Sequence, residues 1–303
     1  MSESVLVVPL LVALLAFAAA AFDAVLAASA AGSPGAWRVW DAPLREAARL
    51  LVRQRRNTLA ADRLLRRTGI AVLPVAAVLA AAVLPLGGAD AASDSSIGIV
   101  WFNAAEVAVW AGVWLAGWSV NSAYSLVGGY RIIAQGLAYE LPHMFALITV
   151  GVGAESLRFA DAVSAQHGLW FAVQMPVAFA VYLLSALAMA FWGPLASPVG
   201  RDLAGGAMAE LSGADRLVFL AGRYAMLAVA AAATVPLFLG GGAGPLLPAW
   251  LWTLVKTLAV LAALVWAGHR VPVLRMDRFM GFAWTVLIPP TLLQLLVTSL
   301  IAL

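Results

Sequence analysis

Residues 5–30 read VLVVPLLVALLAFAAAAFDAVLAASA, an apolar run of 26 residues that contains a single charged side chain, Asp23. A helix needs about 20 apolar residues to cross the hydrocarbon core of a bilayer. The run is longer than the apolar core of a secretory signal peptide, and the residues before it are acidic rather than basic. These features predict a membrane-spanning helix that stays in the protein rather than a cleaved leader.

The composition of the whole chain agrees with this interpretation. Of its 303 residues, 64% are hydrophobic and only 11% are charged, whereas a soluble domain is about half apolar and about a quarter charged. This composition excludes a water-soluble globular enzyme and indicates a polytopic membrane protein. The chain has no cysteine and three scattered histidines, His143, His167 and His269. It therefore offers no ligands for an Fe–S cluster, and we expect no metal site and no bound cofactor.

The hydropathy pattern predicts an all-α membrane protein, because lipid offers backbone groups no hydrogen-bond partner outside a helix. We expect one polytopic membrane domain over residues 1–303, with about eight transmembrane helices. Their approximate bounds are 5–30, 69–87, 98–118, 132–153, 168–192, 216–239, 246–267 and 281–302.

The arginines predict how the chain is oriented in the membrane. Nine of them lie in the loop 31–68, and more follow near Arg131, Arg201 and Arg275. The connections 88–97, 154–167 and 240–245 carry only Arg158. Because basic loops remain in the cytoplasm, both termini are expected outside a bacterial cytoplasmic (inner) membrane. Nucleic acid is a poor partner for a basic loop in a protein of this class.

The arginine-rich loop 31–68 also contains a helical pattern. Apolar residues recur among its arginines at helical spacing, namely Leu44, Ala47, Ala48, Leu51 and Val52. The pattern predicts an amphipathic helix on the cytoplasmic membrane surface. Its arginines would be held there by anionic lipid or would form a docking surface for a cytoplasmic partner.

Five ionisable residues fall inside the expected spans: Asp23, Glu106, Glu140, Arg223 and Lys256. A charge at mid-bilayer costs about 2.5–3.5 kcal/mol, so each needs a partner, water or a function. Glu140 and His143 share a helix face beside Pro142, where they could pass a proton or form a structural pair. Arg223 and Lys256 are expected to neutralise carboxylates on other helices.

One stretch resembles a known family. Residues 117–128 read GWSVNSAYSLVG, and Arg131, Gln135 and the pair Tyr139-Glu140 follow. This order is similar, without a gap, to a signature of the H subunit of NADH-quinone oxidoreductase, the respiratory complex I. A second stretch agrees with the same family and contains Gly240-Gly241, Gly244-Pro245, Trp252, Lys256, Pro272, Arg275, Asp277 and Met280. Weaker matches are 210–213, which read ELSG, and 222–224, which read GRY.

The resemblance implies a protein with eight spans and external termini that forms part of a quinone chamber. Quinone would be a substrate at a shared interface, and the partners would be other membrane-arm subunits, peripheral Fe–S and quinone-site subunits, and lipid. Glu140 and Glu210 would belong to the proton path, with Glu106, Asp202 and His143 as further candidates. Arg131, Arg275 and Asp277 would organise the quinone chamber and the face toward the peripheral arm.

The chain departs from the family pattern at several positions. Arg223 replaces a glutamate, Ala123 replaces a lysine, and the acidic segment before residue 210 keeps only Asp202. These losses suggest a divergent paralogue. Three alternatives therefore stay open: the membrane anchor of an energy-converting hydrogenase or formate hydrogenlyase-type complex, a stand-alone proton-linked transporter, and a structural anchor without a proton path.

The arginine asymmetry makes a testable prediction about topology. Reporter domains fused after residues 55, 205 and 273 should be cytoplasmic, and those fused after residues 92 and 162 should be external, because basic loops are retained inside. Labelling with a membrane-impermeant reagent would check each fusion. A cytoplasmic location at both 92 and 162 would reverse the assigned orientation.

Overall fold

The computed structural model describes residues 4–86, 93–200 and 205–302, and every regular element within these ranges is helical. The helices are α1 (Ser4–Ala30), α2 (Ala42–Val52), α3 (Arg63–Ala81), α4 (Gly98–Ser119), α5 (Ala123–Gly153), α6 (Phe159–Ser164), α7 (Phe171–Gln174), α8 (Pro176–Met189), α9 (Gly213–Phe238), α10 (Ala249–Arg270), α11 (Met276–Phe282) and α12 (Ile288–Ala302). Short 3₁₀ turns cover Ala36–Val39, Gly193–Leu195 and Ser197–Val199. The all-helical class predicted from the sequence is confirmed for the described residues.

Six helical segments of the described residues are long and apolar enough to cross a membrane. They are Leu6–Ala30, Arg63–Ala81, Gly98–Ser119, Gly213–Phe238, Ala249–Arg270 and Met276–Ala302. Each overlaps one of the eight spans expected from the sequence. The remaining two expected spans, 132–153 and 168–192, are not among these six segments.

The expected span 132–153 forms the last 22 residues of α5, a helix of 31 residues that also carries polar side chains. The expected span 168–192 is not one helix. It is divided into α7 and α8 at Met175, whose backbone leaves the helical region with φ −127° and ψ 59°. Pro176 causes the break, because proline disfavours a helical conformation at the residue before it and is itself well suited to a first helical position.

The arginine-rich loop is shorter than the sequence pattern suggested. α3 begins at Arg63 rather than near residue 69, because Asp62 caps its first turn. The Asp62 carboxylate accepts hydrogen bonds from the backbone nitrogens of Leu64 and Leu65 at 2.9 and 3.0 Å. Such a cap satisfies amide groups that otherwise lack a partner at a helix start. Three of the nine loop arginines therefore belong to α3.

The predicted helix within this loop is present as α2, which packs against α1 and α9. Its buried side chain is Leu50, which the apolar pattern had not included. Leu44, Leu51 and Val52 are exposed in the chain alone. The placement of α2 on a membrane surface therefore stays a prediction.

The centre of the bundle is α9, which packs against α1, α2, α3, α8 and α10. Residues 225–238 of this helix are all buried, and most of them are alanine or other apolar residues. A helix that is apolar all round belongs in an interior, whereas a one-sided helix lies at a surface. By contrast, α12 buries only Thr291 against the rest of the chain.

A five-residue π-helical segment, Ala283–Leu287, joins α11 to α12 just before Pro289 and Pro290. Proline lacks an amide hydrogen and crowds the carbonyl four residues earlier, so two in succession disrupt the regular helical ladder. The wider π turn accommodates that crowding. The segments on both sides of it therefore continue as one apolar span, Met276–Ala302.

The pair α3 and α4 is held closely together by glycines. A Cβ atom placed on Gly69 would lie 2.7 Å from both the Gly112 carbonyl oxygen and the Ala116 nitrogen. Both contacts are with backbone atoms, so no side chain can rotate away. Small residues allow such close backbone contact between helices in a membrane.

We predict that Gly69→Ala destabilises the protein by about 1–3 kcal/mol, because the added methyl group forces α3 and α4 apart. Gly281→Ala is a matched control, since a Cβ there meets no atom within 4 Å. That change should be neutral or stabilising by about 0.5–1 kcal/mol. Thermal unfolding of the two purified variants in detergent measures both effects. Equal midpoints would contradict the close α3–α4 contact.

Candidate functional site

An apolar cavity of about 560 Å³ lies between α1, α2, α3 and α9. One face of α1 forms its long wall, with lining residues at helical spacing from Pro9 to Ala24. Leu50 of α2 and Leu220 of α9 close it from the other side. Its polar side chains are Asp23, Glu46 and Tyr224. An elongated apolar space with few polar groups suits a ligand with an apolar body and a small polar head.

Asp23 lies in the wall of this cavity and binds two side chains. The Tyr224 hydroxyl donates to one carboxylate oxygen at 2.7 Å, and the Nε2 atom of His269 lies 2.8 Å from the other. The sequence identified Asp23 as an intramembrane charge that needs a partner. It did not identify His269, because the two residues are separated by 246 positions and no local pattern joins them.

A second polar cluster lies between α4 and α5. The fully buried Glu106 accepts a hydrogen bond from the Tyr139 hydroxyl at 3.0 Å, and that hydroxyl accepts one from Trp110 Nε1 at 2.9 Å. Glu140 accepts a hydrogen bond from the Asn103 amide at 2.8 Å. The fold thus brings together two residues predicted for a proton path, Glu106 on α4 and Glu140 on α5.

Glu106 and Glu140 are neighbours across the α4–α5 contact, because Tyr139 of α5 binds Glu106 and Asn103 of α4 binds Glu140. Among the described residues, one oxygen of each carboxyl has no hydrogen-bond donor. Two facing carboxyl groups repel if both are charged, whereas a proton held between them converts the repulsion into a hydrogen bond. The pair is therefore suited to hold and release a proton.

The α4 residues of this polar cluster are spaced in a pattern that can be recognised in the sequence. Asn103, Glu106 and Trp110 are spaced by three and four residues, which places them on one face of α4. Only Glu106 was identified from the sequence as a candidate. The polar spacing on an otherwise apolar helix could have identified Asn103 as well.

His143 is fully buried near this cluster but is not hydrogen-bonded to Glu140. Within the described part of the chain, neither of its ring nitrogens has a hydrogen-bond partner. Its ring lies 5.5 Å from that of Tyr182 and 6.4 Å from that of Tyr139, measured between centroids. The structure thus places His143 beside the carboxyl pair through aromatic contacts.

Glu210 and Arg131 lie toward the other end of α5. Glu210 accepts a hydrogen bond from Ser122, the residue before α5, at 2.9 Å. Arg131 donates to the carbonyl oxygens of Ser197 and Gly205 at 3.3 and 2.8 Å. Ser122 precedes Glu140 by about 27 Å along the helix axis, so Glu210 is remote from the carboxyl pair. Asp202, the further candidate in this region, lies outside the described residues.

Arg275 and Asp277 form an ion pair at the start of α11. Two nitrogens of the guanidinium each lie 3.2 Å from a carboxylate oxygen, and both side chains are exposed. The preceding residue, Leu274, donates its amide to the Pro194 carbonyl at 2.7 Å. This ties the exposed pair to the segment that follows α8. The described residues contain no group of three or more histidine or acidic side chains that could hold a metal ion.

Comparison with known proteins identifies the family. Residues 4–299 match the family described as NADH dehydrogenase. The chain belongs to that family. It is 36% identical to the NADH-quinone oxidoreductase H subunit numbered 2 in Geobacter sulfurreducens over 268 residues, which are 85% of this chain and 81% of the relative. It is 35% identical to the NADH-quinone oxidoreductase H subunit of Syntrophotalea carbinolica, again over 85% of this chain and 81% of the relative. It is 38% identical to the H subunit numbered 2 in Cereibacter sphaeroides, over 69% of this chain and 67% of the relative.

Arg223 stands where the family pattern has a glutamate, and it binds backbone carbonyls and an aromatic ring. Its guanidinium donates to the carbonyl oxygens of Ala190 and Phe191 and lies 4.7 Å from the ring centroid of Trp192. Backbone carbonyls and an aromatic face both favour a cation. These contacts were not among those expected from the sequence.

Lys256, a residue shared with the family pattern, binds carbonyls rather than the carboxylate that the sequence had predicted. Its ammonium group donates to the carbonyl oxygens of Leu239, Gly241 and Ala243 at 2.7–2.9 Å. It also lies 4.5 Å from the ring centroid of Trp170. All three ammonium hydrogens thus have acceptors, which offsets the cost of placing this side chain within a membrane span. Lys256 therefore fixes the turn between α9 and α10.

An ion cluster that the sequence did not reveal joins α3, α9 and the arginine-rich loop. Asp215 lies 3.3 Å from Arg66 and 3.5 Å from Arg55, and Arg66 also donates to Asn57 at 2.8 Å. Arg66 is only 5% exposed, although the charge pattern grouped it with the other loop arginines. Its burial means that it serves the fold of this family member rather than lipid or partner binding.

We predict that Asp215→Asn lowers stability by about 3–5 kcal/mol, because it leaves the buried Arg66 guanidinium without its counter-charge. Asp277→Asn is the matched control, since it removes a carboxylate from an exposed pair, and exposed pairs contribute little. Thermal unfolding in detergent would compare the two variants. Similar shifts in both would show that the Arg66–Asp215 contact is no stronger than a surface pair.

Proposed function

We propose that this protein is the membrane subunit of a complex I-like NADH-quinone oxidoreductase. In this role it forms part of the quinone chamber and couples quinone reduction to proton translocation. The observation that carries the proposal is the buried Glu106 beside the partly buried Glu140, with their hydrogen-bonded tyrosine, tryptophan and asparagine. Placing two carboxyl groups between apolar helices is costly, and a structural anchor would not need them.

The cavity supports the quinone part of the proposal. A quinone has an apolar tail and a head with two carbonyl oxygens, which accept hydrogen bonds. The long α1 wall can hold the tail, and Asp23 and Tyr224 are polar lining residues beside which the head can lie. Quinone would be a substrate at an interface shared with partner subunits, and this chain would bind no redox cofactor of its own.

The carboxyl pair supports the proposed role in proton translocation. A proton held by Glu106 and Glu140 can leave only if water or another proton acceptor reaches the two carboxyl groups. Whether the proton stays or leaves would therefore depend on the access of that acceptor. Tyr139 and His143 adjoin it and extend the polar region toward α8. Glu210 and Asp202 would serve the other end of α5, so a path through all these groups must cover about 27 Å.

The proposed topology has eight spans with both termini outside the bacterial cytoplasmic membrane. Six spans follow from helix length and hydropathy. α5 supplies the seventh, since its 31 residues extend about 46 Å. The broken pair α7 and α8 supplies the eighth, because a discontinuous helix can span a membrane where protein surrounds the break. α2 would lie on the cytoplasmic surface against lipid.

The proposed partners are other membrane-arm subunits and the peripheral subunits that carry Fe–S clusters. The chain has no cysteine, so electrons must reach the quinone through a partner. The exposed Arg275–Asp277 pair and the Arg131 region would face the peripheral subunits. Arg223 and the loss of acidic residues before Glu210 favour a second candidate function, a structural anchor without a proton path.

Replacement of Glu140 tests the proposal. Glu140→Gln keeps the volume and one oxygen that can accept from Asn103, but it cannot release a proton. We predict normal assembly of the complex and a loss of proton-coupled quinone reduction of about tenfold or more. Glu140→Asp should retain part of the activity, because the shorter side chain still titrates. Quinone reduction and acidification of the lumen would be measured in membrane vesicles that contain the whole complex.

Glu155→Gln is the control, since Glu155 is exposed just beyond the end of the same helix. It should leave both activities near those of the parent complex. If Glu140→Gln also turns over and pumps like the parent, Glu140 is a packing residue and the structural-anchor function is favoured. Purification of the complex with its subunits identified would test the assembly itself.

A further inference from the structure

One face of α3 is exposed from the first turn of the helix to the last. Its members follow one another at intervals of four residues, and all are exposed: Arg63, Arg67, Ala71, Val75 and Leu79. Residues four apart lie above one another on the same face of a helix. No other element of the described residues therefore covers this face, which we call the α3 row.

The α3 row is basic at one end and apolar along the rest. Its two arginines lie at the cytoplasmic end of the span in the proposed orientation, and three apolar side chains follow. Arg67 and Leu79 are about 18 Å apart along the helix axis. One leaflet supplies half of a hydrocarbon core of about 30 Å. The apolar part of the row therefore has the depth of one leaflet, and the arginines lie at the level of the headgroups.

The acidic residues near the start of α3 are already bound to other groups. Residues 53–67 contain six arginines but one aspartate, Asp62. Asp62 accepts hydrogen bonds from two backbone amides as the helix cap. Asp215 of α9 holds Arg55 and Arg66. Neither carboxylate is thus directed to the other arginines of this segment.

Four exposed arginines remain without a counter-charge. Within the described part of the chain, their side chains form no ion pair and no hydrogen bond; they are Arg53, Arg56, Arg63 and Arg67. Like charges this close repel one another unless an anion lies among them. Arg63 and Arg67 are one helical turn apart, and guanidinium groups bind phosphate through paired hydrogen bonds. The segment is therefore suited to a phosphate group.

Two exposed leucines favour a lipid over a water-soluble anion. Leu59 and Leu64 lie among the arginines and are 92% and 73% exposed. Exposed apolar side chains between basic residues are typical of a segment at a membrane surface. Inorganic phosphate or an acidic protein would balance the charge but would have no part that matches the apolar end of the α3 row. A phospholipid has both.

We propose that the α3 row binds an anionic phospholipid of the cytoplasmic leaflet. The phosphate lies between the guanidinium groups of Arg63 and Arg67, and one acyl chain lies along the apolar part of the row. Arg53 and Arg56 add positive charge beside the headgroup. The lipid thereby holds the arginine-rich loop at the membrane surface beside α9. The site requires only that α3 spans the membrane, so it does not depend on the reaction that the protein serves.

Replacement of two arginines tests the headgroup contact. Arg63→Gln and Arg67→Gln would be combined in the full-length chain, which removes both phosphate donors from exposed positions. Arg45→Gln combined with Arg49→Gln is the matched control. It removes two exposed arginines of α2 that are already paired with Asp41 and Glu46.

Native mass spectrometry of the delipidated protein in detergent would count the lipids bound. Phosphatidylglycerol and phosphatidylcholine with the same acyl chains would be the probes. The parent should bind phosphatidylglycerol the more tightly, and the preference should weaken with added salt. The Arg63/Arg67 double variant should bind it about tenfold or more weakly, whereas the control should resemble the parent. Excess inorganic phosphate should not displace the lipid.

A site-specific label tests the position of the acyl chain. The chain contains no cysteine, so Ala71→Cys can carry a single fluorophore. Leu296→Cys is the control, because it is exposed on α12, a helix without basic residues. Phosphatidylglycerol with brominated chains, as a minor part of phosphatidylcholine nanodiscs, should quench the label at residue 71 more strongly. The Arg63/Arg67 double variant should lose that difference.

Equal binding of the two lipids by the parent would overturn the proposal without any variant. So would parental affinity in the Arg63/Arg67 double variant, equal quenching at residues 71 and 296, or displacement of the lipid by inorganic phosphate. Loss of peripheral subunits from the double variant, with unchanged lipid binding, would assign these arginines to a protein partner instead. These results are separate from the effect of Glu140→Gln, so the lipid site and the proposed function can fail independently.

Discussion

The constraint on which this structure depends is that lipid provides no partner for a polar group, so each one within the bundle must be satisfied by the protein itself. Three sets of charged residues meet it in different ways. Lys256 and Arg223 bind backbone carbonyls and aromatic faces, Asp23 binds Tyr224 and His269, and Glu106 and Glu140 bind Tyr139 and Asn103. The first arrangement pairs a basic side chain with carbonyl dipoles. The other two contain carboxyl groups, and both lie at the candidate site.

Composition and arginine distribution were sufficient to predict the helical class and six of the spans, because the cost of burying polar backbone in lipid is visible directly in long apolar runs. They were insufficient where one residue decides the local structure. Pro176 divides an apolar run that looked continuous, and Asp62 starts α3 about six residues early. Motif resemblance identified the family, since its residues lie in ungapped order along the chain.

The sequence predicted only part of the candidate site. Glu106 and Glu140 were both identified, but their proximity depends on how α4 packs on α5, and close packing of that kind is set by side-chain shape. Neither the Asp23–His269 contact nor the burial of Arg66 has a local signal, because each joins residues far apart in the chain. Charge patterns indicate where partners are needed, and the tertiary fold decides which residue supplies them.

The length of α5 has a mechanical consequence. In the proposed topology, α5 crosses a hydrocarbon core of about 30 Å, which holds about 20 residues of helix, so about ten of its 31 residues would project beyond it unless the helix tilts strongly. The N-terminal third of α5 carries Arg131, which contacts Ser197 and Gly205. Glu140 lies on the same helix, two residues before Pro142. A neighbour docked at the N-terminal end of α5 would therefore act on the helix that also carries this carboxyl group.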